Sequence, residues 1–119
     1  MSRQKGKEIE DQAQAYLLQQ GLKPVQQNYL CRGGEIDIIM QQDRTLVFVE
    51  VRFRNSTKFG NAAESVNWTK QQKLIIAAQH FLQKNARWQN QPCRFDVIAC
   101  NPGPQGTEFQ WIRGAFDLS

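Results

Sequence analysis

Two acidic residues stand inside apolar, β-branched segments of this sequence. Asp37 lies in residues 33–40 and Glu50 lies in residues 46–52, and each of these segments is predicted to be a β-strand. Acidic side chains are rarely buried without a partner, because an unpaired charge is unfavourable in an apolar interior. Carboxylate oxygens are also the ligands that hard divalent cations prefer. The two positions therefore predict a metal site.

The register between these two strands decides whether the carboxylates meet. A short polar loop separates the strands, and a hairpin centred between Asp43 and Arg44 makes the numbers of cross-strand partners sum to 87. Asp37 then faces Glu50, and like charges placed opposite each other repel unless a cation lies between them. A slip by one residue would place them on opposite faces. The loop lacks an Asn-Gly or Asp-Gly turn signal, so two rim carboxylates that each pair with Lys or Arg remain the alternative.

The hydrophobic periodicity predicts an α/β fold, a mixed β-sheet flanked by helices in the order α-β-β-β-α-β-β. The segment 46–52 is apolar on both faces, which indicates a central strand covered on two sides. Turn-forming residues predict a loop over 101–106. The predicted elements are, in chain order, helix 6–20, strands 23–31, 33–40 and 46–52, helix 69–84, and strands 94–100 and 109–112.

Length and cysteine content narrow the class of protein. A chain of 119 residues suits a single domain, residues 1–119. The three cysteines (Cys31, Cys93 and Cys100) are odd in number and show no Cys-x-x-Cys spacing, which argues against a zinc site or a disulfide framework. The polar N-terminus and the lack of a long apolar segment predict a cytoplasmic protein without a membrane partner. His80 is the only histidine, lies in a predicted helix and is predicted to be structural.

Basic residues are concentrated in one part of the chain. The net charge is +4, but residues 51–95 contain eight Lys or Arg and one acidic residue, which gives this window +7 and the remainder −3. Such a distribution favours a polyanionic partner such as DNA, and a solvated basic face is the alternative. The candidates for contacts with a nucleic-acid backbone are Arg54, Lys58, Lys70 and Lys73.

Several motifs together resemble the PD-(D/E)xK nuclease superfamily, which includes type II restriction endonucleases and archaeal Holliday-junction resolvases. Within it the chain is most similar to the YraN family of uncharacterised bacterial proteins, and the resemblance covers nearly the whole sequence. The motifs that carry it are Glu10-x-x-Ala13-x-x-Tyr16-Leu17, Arg32-Gly33-Gly34-Glu35-Ile36-Asp37, Val47-Phe48-Val49-Glu50-Val51-Arg52, Phe59-Gly60, Ala63-Glu64-Ser65-Val66, Lys70 and Arg94-Phe95-Asp96-Val97.

The resemblance implies a restriction-endonuclease-like fold and a set of site residues. Asp37 and Glu50 would be the ligands of Mg²⁺ or Mn²⁺, with the carbonyl of Val51 as a third ligand. Glu10 matches the place where resolvase-like members carry an additional acidic residue near the metal. Asp96, on the fourth strand, either joins this site or forms a structural ion pair, and the ion pair is the expectation.

The chain departs from the superfamily pattern at Arg52, where a lysine is usual. Arginine supplies positive charge and a bidentate phosphate contact, but it cannot act as a general base because its pKa stays above about 12. Activation of water must then come from the metal, or Lys70 of the second helix enters the site. Asp37, Glu50, Arg52 and Glu10 are accordingly the candidate catalytic residues.

Three functions follow from this set of residues. The first is a metal-dependent DNA endonuclease, with branched repair or recombination intermediates as its expected substrates. The second is a non-catalytic nucleic-acid-binding module that retains the nuclease fold, which the arginine at position 52 favours. The third is a protein-interaction subunit in DNA processing. Resolvase-like relatives are dimers, so a homodimer is an alternative that the sequence leaves open.

Overall fold

The computed structural model describes residues 3–53 and 66–117, with side chains described from Gly6 onward. The elements in these ranges follow the predicted order α-β-β-β-α-β-β, and the prediction of a mixed α/β fold is confirmed. The elements are α1 (Arg3–Gln19), β1 (Lys23–Cys31), β2 (Gly34–Gln42), β3 (Thr45–Phe53), α2 (Trp68–Lys84), a short 3₁₀ turn (Ala86–Trp88), β4 (Cys93–Gly103) and β5 (Gly106–Phe116).

The described strands form one sheet in the order β1-β2-β3-β4-β5. The pair β3–β4 is parallel and is connected through α2, whereas the other neighbours are antiparallel. As predicted, β3 is the central strand and has a helix on each side. Neither helix in the described ranges is long and apolar enough to cross a membrane. The α1 side of the core contains Ile9, Ala13, Leu17, Ile38, Val47 and Val49, and the α2 side contains Ile39, Phe48, Leu74, Ala78, Phe81 and Phe95.

The hairpin between β2 and β3 has the predicted register. Its pairs run from Gln42–Thr45 at the turn to Ile38–Val49, and each pair of numbers sums to 87. Asp43 in the turn has a φ of 53°, a left-handed conformation that Asp tolerates better than most residues. The parity of the register, which decides which side chains of the two strands share a face, is therefore the predicted one, and the partners Ile39 and Phe48 lie together on the α2 side.

The two strands separate beyond this ladder, at the position of Asp37. Regular alternation would place Ile36 and Ile38 on one face, yet Ile36 packs in the α2 side of the core with Ile39, and Ile38 packs in the α1 side. The neighbouring strand β1 has its own irregularity at this level, because Asn28 has a φ of 54°. Asp37 thus occupies a break in the alternation, where β2 no longer pairs with β3.

The hairpin between β4 and β5 is longer than predicted. The segment 101–106 was expected to be a loop, but β4 continues to Gly103 and β5 begins at Gly106. The last pair of β4 with β3 is Cys100–Phe53. Beyond it β4 has no β3 neighbour among the described residues, and Pro102 lies in this part of the strand although it has no N–H to donate. The turn signal was correct, but the turn occupies only residues 104 and 105.

The turn between β1 and β2 is in close contact with α2. A Cβ added to Gly34 would lie 2.4 Å from the backbone oxygen of Lys73, and one added to Gly33 would lie 2.6 Å from Cγ2 of Ile76. Glycine at position 34 therefore lets the helix backbone approach the strand directly. This contact sets the distance between α2 and the end of β2 that carries Asp37.

We expect Gly34→Ala to destabilise the protein by about 2 kcal/mol, because the new methyl group overpacks a contact with backbone that cannot rotate away. Urea denaturation would measure the change in the free energy of unfolding. Gly33→Ala is the matched control, since it meets the side chain of the exposed Ile76 rather than helix backbone, and it should cost less. Equal stability of Gly34→Ala and the parent protein would contradict this account of the contact.

Candidate functional site

The carboxylate of Asp37 connects β2 to β3 beyond the end of their ladder. Its Oδ2 accepts a hydrogen bond from the backbone N–H of Val51 at 2.9 Å. Asp37 itself is only partly buried. The backbone N–H of Val51 thus orients one oxygen of Asp37, and the carbonyl of the same residue is the predicted third metal ligand.

Glu50 is buried beside Asp37. Its exposed fraction is 4%, and its side chain hydrogen bonds with that of Asp37. The pKa of Glu50 is raised to about 8, first by burial and then by the charge and hydrogen bond of Asp37, although Lys70 and Arg52 lower it in part. Glu50 therefore retains a proton near neutral pH. A divalent cation could take the place of that proton, since it would also relieve the repulsion between two ionised groups.

Two basic side chains face the same oxygen of Glu50. Nζ of Lys70 lies 3.5 Å from Oε2, and an Nη atom of Arg52 lies 3.7 Å from it. Lys70 comes from the first turn of α2, where Oδ1 of Asn67 accepts a hydrogen bond from the Lys70 backbone N–H at 2.9 Å. This N-cap fixes where the helix begins, so it also positions Lys70. The approach of Lys70 to the carboxylates was one of two alternatives in the sequence analysis.

Glu10 lies on α1, the helix that packs on the face of the sheet opposite to α2. The pKa of Glu10 is raised, mainly by burial and then by the charge of Asp37. A hydrogen bond with Asn28 lowers it in part. Glu10 is thus close enough to Asp37 for electrostatic coupling. Among the residues that the structure describes, no three His, Cys, Asp or Glu side chains form a group able to hold one metal ion. The role of Glu10 as an additional acid near a metal stays a prediction.

The predicted nucleic-acid contacts are only partly within the described residues. Lys70 and Lys73 lie on α2, where Lys73 is exposed and Lys70 is partly buried against Glu50. Arg54 and Lys58 lie outside the described residues, as does most of the loop that connects β3 to α2.

Asp96 forms a separate, structural cluster. It is 1% exposed and accepts hydrogen bonds from Nε of Arg94 at 3.0 Å, from the indole N–H of Trp111 at 2.9 Å and from the backbone N–H of Gly114 at 3.0 Å. Arg94 also donates to the side chain of Gln42 at 2.7 Å. These contacts agree with the ion pair that was expected for Asp96 rather than with a place among the metal ligands.

We expect Asp96→Asn to destabilise the protein by about 3 kcal/mol. The substitution leaves the partly buried Arg94 guanidinium without its counter-charge, and breaking such a pair from one side is strongly unfavourable. Thermal and urea denaturation would measure the loss. Asp43→Asn, in an exposed turn where Asn also tolerates the left-handed conformation, should leave stability nearly unchanged. A loss of similar size in both variants would contradict the special role of the Asp96 cluster.

The pH dependence of stability should reveal the proton that Glu50 retains. Because the pKa of Glu50 is raised from 4.5 to about 8, the folded state holds this proton more tightly than the unfolded state does. The resulting stabilisation is present below pH 4.5 and is lost as the pH rises toward 8. In EDTA the free energy of unfolding should therefore fall by on the order of 3 kcal/mol across this window. Urea denaturation at successive pH values would measure it, and an equal slope in Glu50→Gln would contradict the assignment.

Sequence reasoning missed Asn28, which connects the Glu10 side of the site to β1. The turn Arg32–Gly33 offered a signal, because a hairpin centred there makes partner numbers sum to 65, as observed for Cys31–Gly34 and Tyr29–Ile36. That register places Asn28 level with Asp37. Its left-handed backbone could not be read from the sequence.

The remaining histidine and cysteines do not contribute to this site. The Tyr29 hydroxyl and Nδ1 of His80 are hydrogen-bonded between β1 and α2, which is consistent with the structural role predicted for His80. Cys31, Cys93 and Cys100 are free, so they form no disulfide framework with one another.

Comparison with known proteins identifies close relatives. The family model described as "Uncharacterised protein family UPF0102" matches residues 9–100. A UPF0102 protein of Saccharophagus degradans is 54% identical over 114 residues, which cover 96% of this chain and 93% of the relative. UPF0102 proteins of Pseudomonas fluorescens (strain Pf0-1) and Nitrosococcus oceani are 48% and 46% identical, each over 96% of this chain and over 93% and 92% of their own lengths.

Proposed function

This chain belongs to the uncharacterised protein family UPF0102, the YraN family that its motifs predict, and on that premise we propose that it is a Mg²⁺- or Mn²⁺-dependent DNA endonuclease. Branched intermediates of repair or recombination are the proposed substrates. The family name carries no activity, so the proposal depends on the site itself.

The observation that carries the proposal is the contact between the Asp37 and Glu50 side chains in a partly enclosed position. Two like charges are brought together where burial already disfavours the ionised form of Glu50. Structural stability alone gives no reason for this arrangement, because it destabilises the metal-free fold near neutral pH. Strongly perturbed ionisable groups of this kind concentrate at functional sites.

The residues present fit a hard divalent cation. Asp37 and Glu50 supply carboxylate oxygens, and the backbone carbonyl of Val51 would complete the predicted protein ligands. Mg²⁺ is often held by only one or two carboxylates together with substrate phosphate oxygens. A bound cation would polarise a phosphate oxygen and lower the pKa of a coordinated water molecule.

Lys70 and Arg52 would act on the phosphate. Both cations lie within 4 Å of Glu50, so a phosphate held next to the carboxylates would be within their reach. Positive charge at this place stabilises the additional negative charge of the transition state. Lys70 would thereby supply the lysine ammonium group that the superfamily pattern usually has at the position of Arg52.

A labelled four-way junction and a linear duplex of the same sequence would test the proposal in Mg²⁺, in Mn²⁺ and in EDTA. We expect cutting of the junction with either metal, none in EDTA, and none by Asp37→Ala, which should still bind the junction. Cutting by Asp37→Ala at the parent rate would show that the site is wrongly assigned.

The alternative function is a nucleic-acid-binding module without catalysis. Two observations favour it: Arg52 stands where a lysine is usual, and the described residues contain no group of three metal-ligating side chains. Such a module would bind DNA with a steep dependence on salt concentration and would cut nothing in the same assay.

A further inference from the structure

An open cleft beside the carboxylate pair has a basic lining. It lies between the β1–β2 turn and α2 and has a volume of about 420 Å³. Lys70 lines this cleft and also lies 3.5 Å from Glu50. The cleft therefore adjoins the candidate metal centre at Lys70, which is common to both.

The charge of the cleft suits a polyanion. Arg32 from the β1–β2 turn and Lys73 from α2 are both exposed and line it from opposite sides, and Lys70 adds a third positive charge. Glu35 is the one acidic residue among the lining residues that the structure describes. Positive groups on two facing walls can neutralise consecutive phosphates of one strand.

The dimensions and the apolar rim favour a single strand over a duplex. A cleft of about 420 Å³ is in the range of pockets that enclose one small ligand, and a DNA duplex, whose major groove alone is about 12 Å wide, is too wide to enter it. Leu30 is 73% exposed at the cleft, and such an apolar side chain can pack against an unstacked base.

We propose that this cleft binds the unpaired strand next to the phosphate that is cut. The substrate class is then DNA with a single-stranded stretch at a branch or flap, rather than a continuous duplex. Arg32 and Lys73 contact the phosphates, and Leu30 contacts a base. The claim that the bound strand lies next to the phosphate that is cut rests on the proposed nuclease function. The claim that the cleft binds a single strand does not.

Binding of a short labelled oligothymidylate, followed by fluorescence anisotropy in EDTA, tests the proposal without any cleavage. Arg32→Gln and Lys73→Gln should each weaken binding several-fold and reduce the slope of log affinity against log salt by about 0.7. Arg44→Gln, in the turn at the other end of β2, and Lys84→Gln, exposed at the end of α2, are the matched controls. Both controls should bind as the parent does.

Leu30→Ala separates the apolar contact from the charge. It should lower the affinity for oligothymidylate several-fold and leave the salt slope unchanged, because it removes surface and no charge. Leu18→Ala on α1, whose side chain is also exposed, should have no effect. The intact duplex of the same sequence should compete poorly for the parent protein at equal nucleotide concentration.

Two results would overturn the proposal: parent-like binding by both Arg32→Gln and Lys73→Gln, or competition by the duplex that equals competition by the single strand. In either case metal-dependent cutting of the junction would leave the nuclease function intact. Conversely, a protein that binds the single strand through Arg32 and Lys73 but cuts nothing would overturn the nuclease function and leave the cleft assignment standing.

Discussion

Glu50→Gln is expected to stop cleavage and, in the same protein, to raise the stability of the metal-free fold. Glutamine keeps the size of the side chain and can hydrogen bond with Asp37, but it carries no charge to bind a cation. We expect the cleavage rate to fall by roughly 1,000-fold. In EDTA at pH 8 the free energy of unfolding should rise by about 2 kcal/mol. The folded parent must either ionise a buried carboxyl group or keep a proton that the unfolded chain releases at this pH, and glutamine requires neither.

The combination of the two effects is diagnostic. A residue that served only to hold the fold together would lose stability when replaced, whereas a strained functional residue is expected to gain it. Glu108→Gln is the matched control, since Glu108 is an exposed glutamate on β5 and should change neither quantity. A Glu50→Gln protein that cuts the junction at the parent rate, or that is less stable at pH 8, would contradict the account.

Lys70→Gln is expected to lower the cleavage rate by roughly 100-fold at saturating DNA, because it removes a cation that lies 3.5 Å from Glu50 and would face the reacting phosphate. Removing the lysine also removes an interaction that lowers the pKa of Glu50. The loss of stability with rising pH should therefore extend to a higher pH in this variant than in the parent. Single-turnover cleavage and urea denaturation in EDTA would measure the two changes.

Lys73→Gln is the matched control for Lys70→Gln, because it removes the same charge one turn further along α2. It should weaken DNA binding but leave the rate at saturating DNA close to that of the parent. Lys70→Arg retains the charge and should recover part of the rate. Equal rates for Lys70→Gln and Lys73→Gln would show that proximity to Glu50 has no catalytic meaning.

The local part of the site was predictable from sequence, because it depends on strand periodicity. The alternation of residues 46–52 and the short loop at Asp43 determine the register of the β2–β3 hairpin, and the structure has that register from Gln42–Thr45 to Ile38–Val49. Asp37 and Glu50 are each one residue beyond that ladder, so the register predicts that they lie level with each other.

The remainder depends on contacts between elements that are distant in sequence. The approach of Lys70 to Glu50 requires α2 to pack on the turn at Gly34, where there is no room for a side chain. The shift in alternation at Asp37 accompanies the left-handed backbone of Asn28 on a neighbouring strand. Neither feature has a periodic signal, so the sequence offers Lys70 only as an alternative and gives no indication of the left-handed backbone of Asn28.

The central claim is that Asp37 and Glu50 together bind a divalent cation, and direct measurement of Mn²⁺ binding by electron paramagnetic resonance tests it without reference to cleavage. At millimolar Mn²⁺ and pH 8 we expect the parent protein to immobilise one Mn²⁺ per chain. Asp37→Asn should lose this signal, and lowering the pH below 6 should weaken it, because Glu50 must release its proton to bind the metal. Equal Mn²⁺ binding by the parent and Asp37→Asn, or no binding by the parent, would contradict the claim.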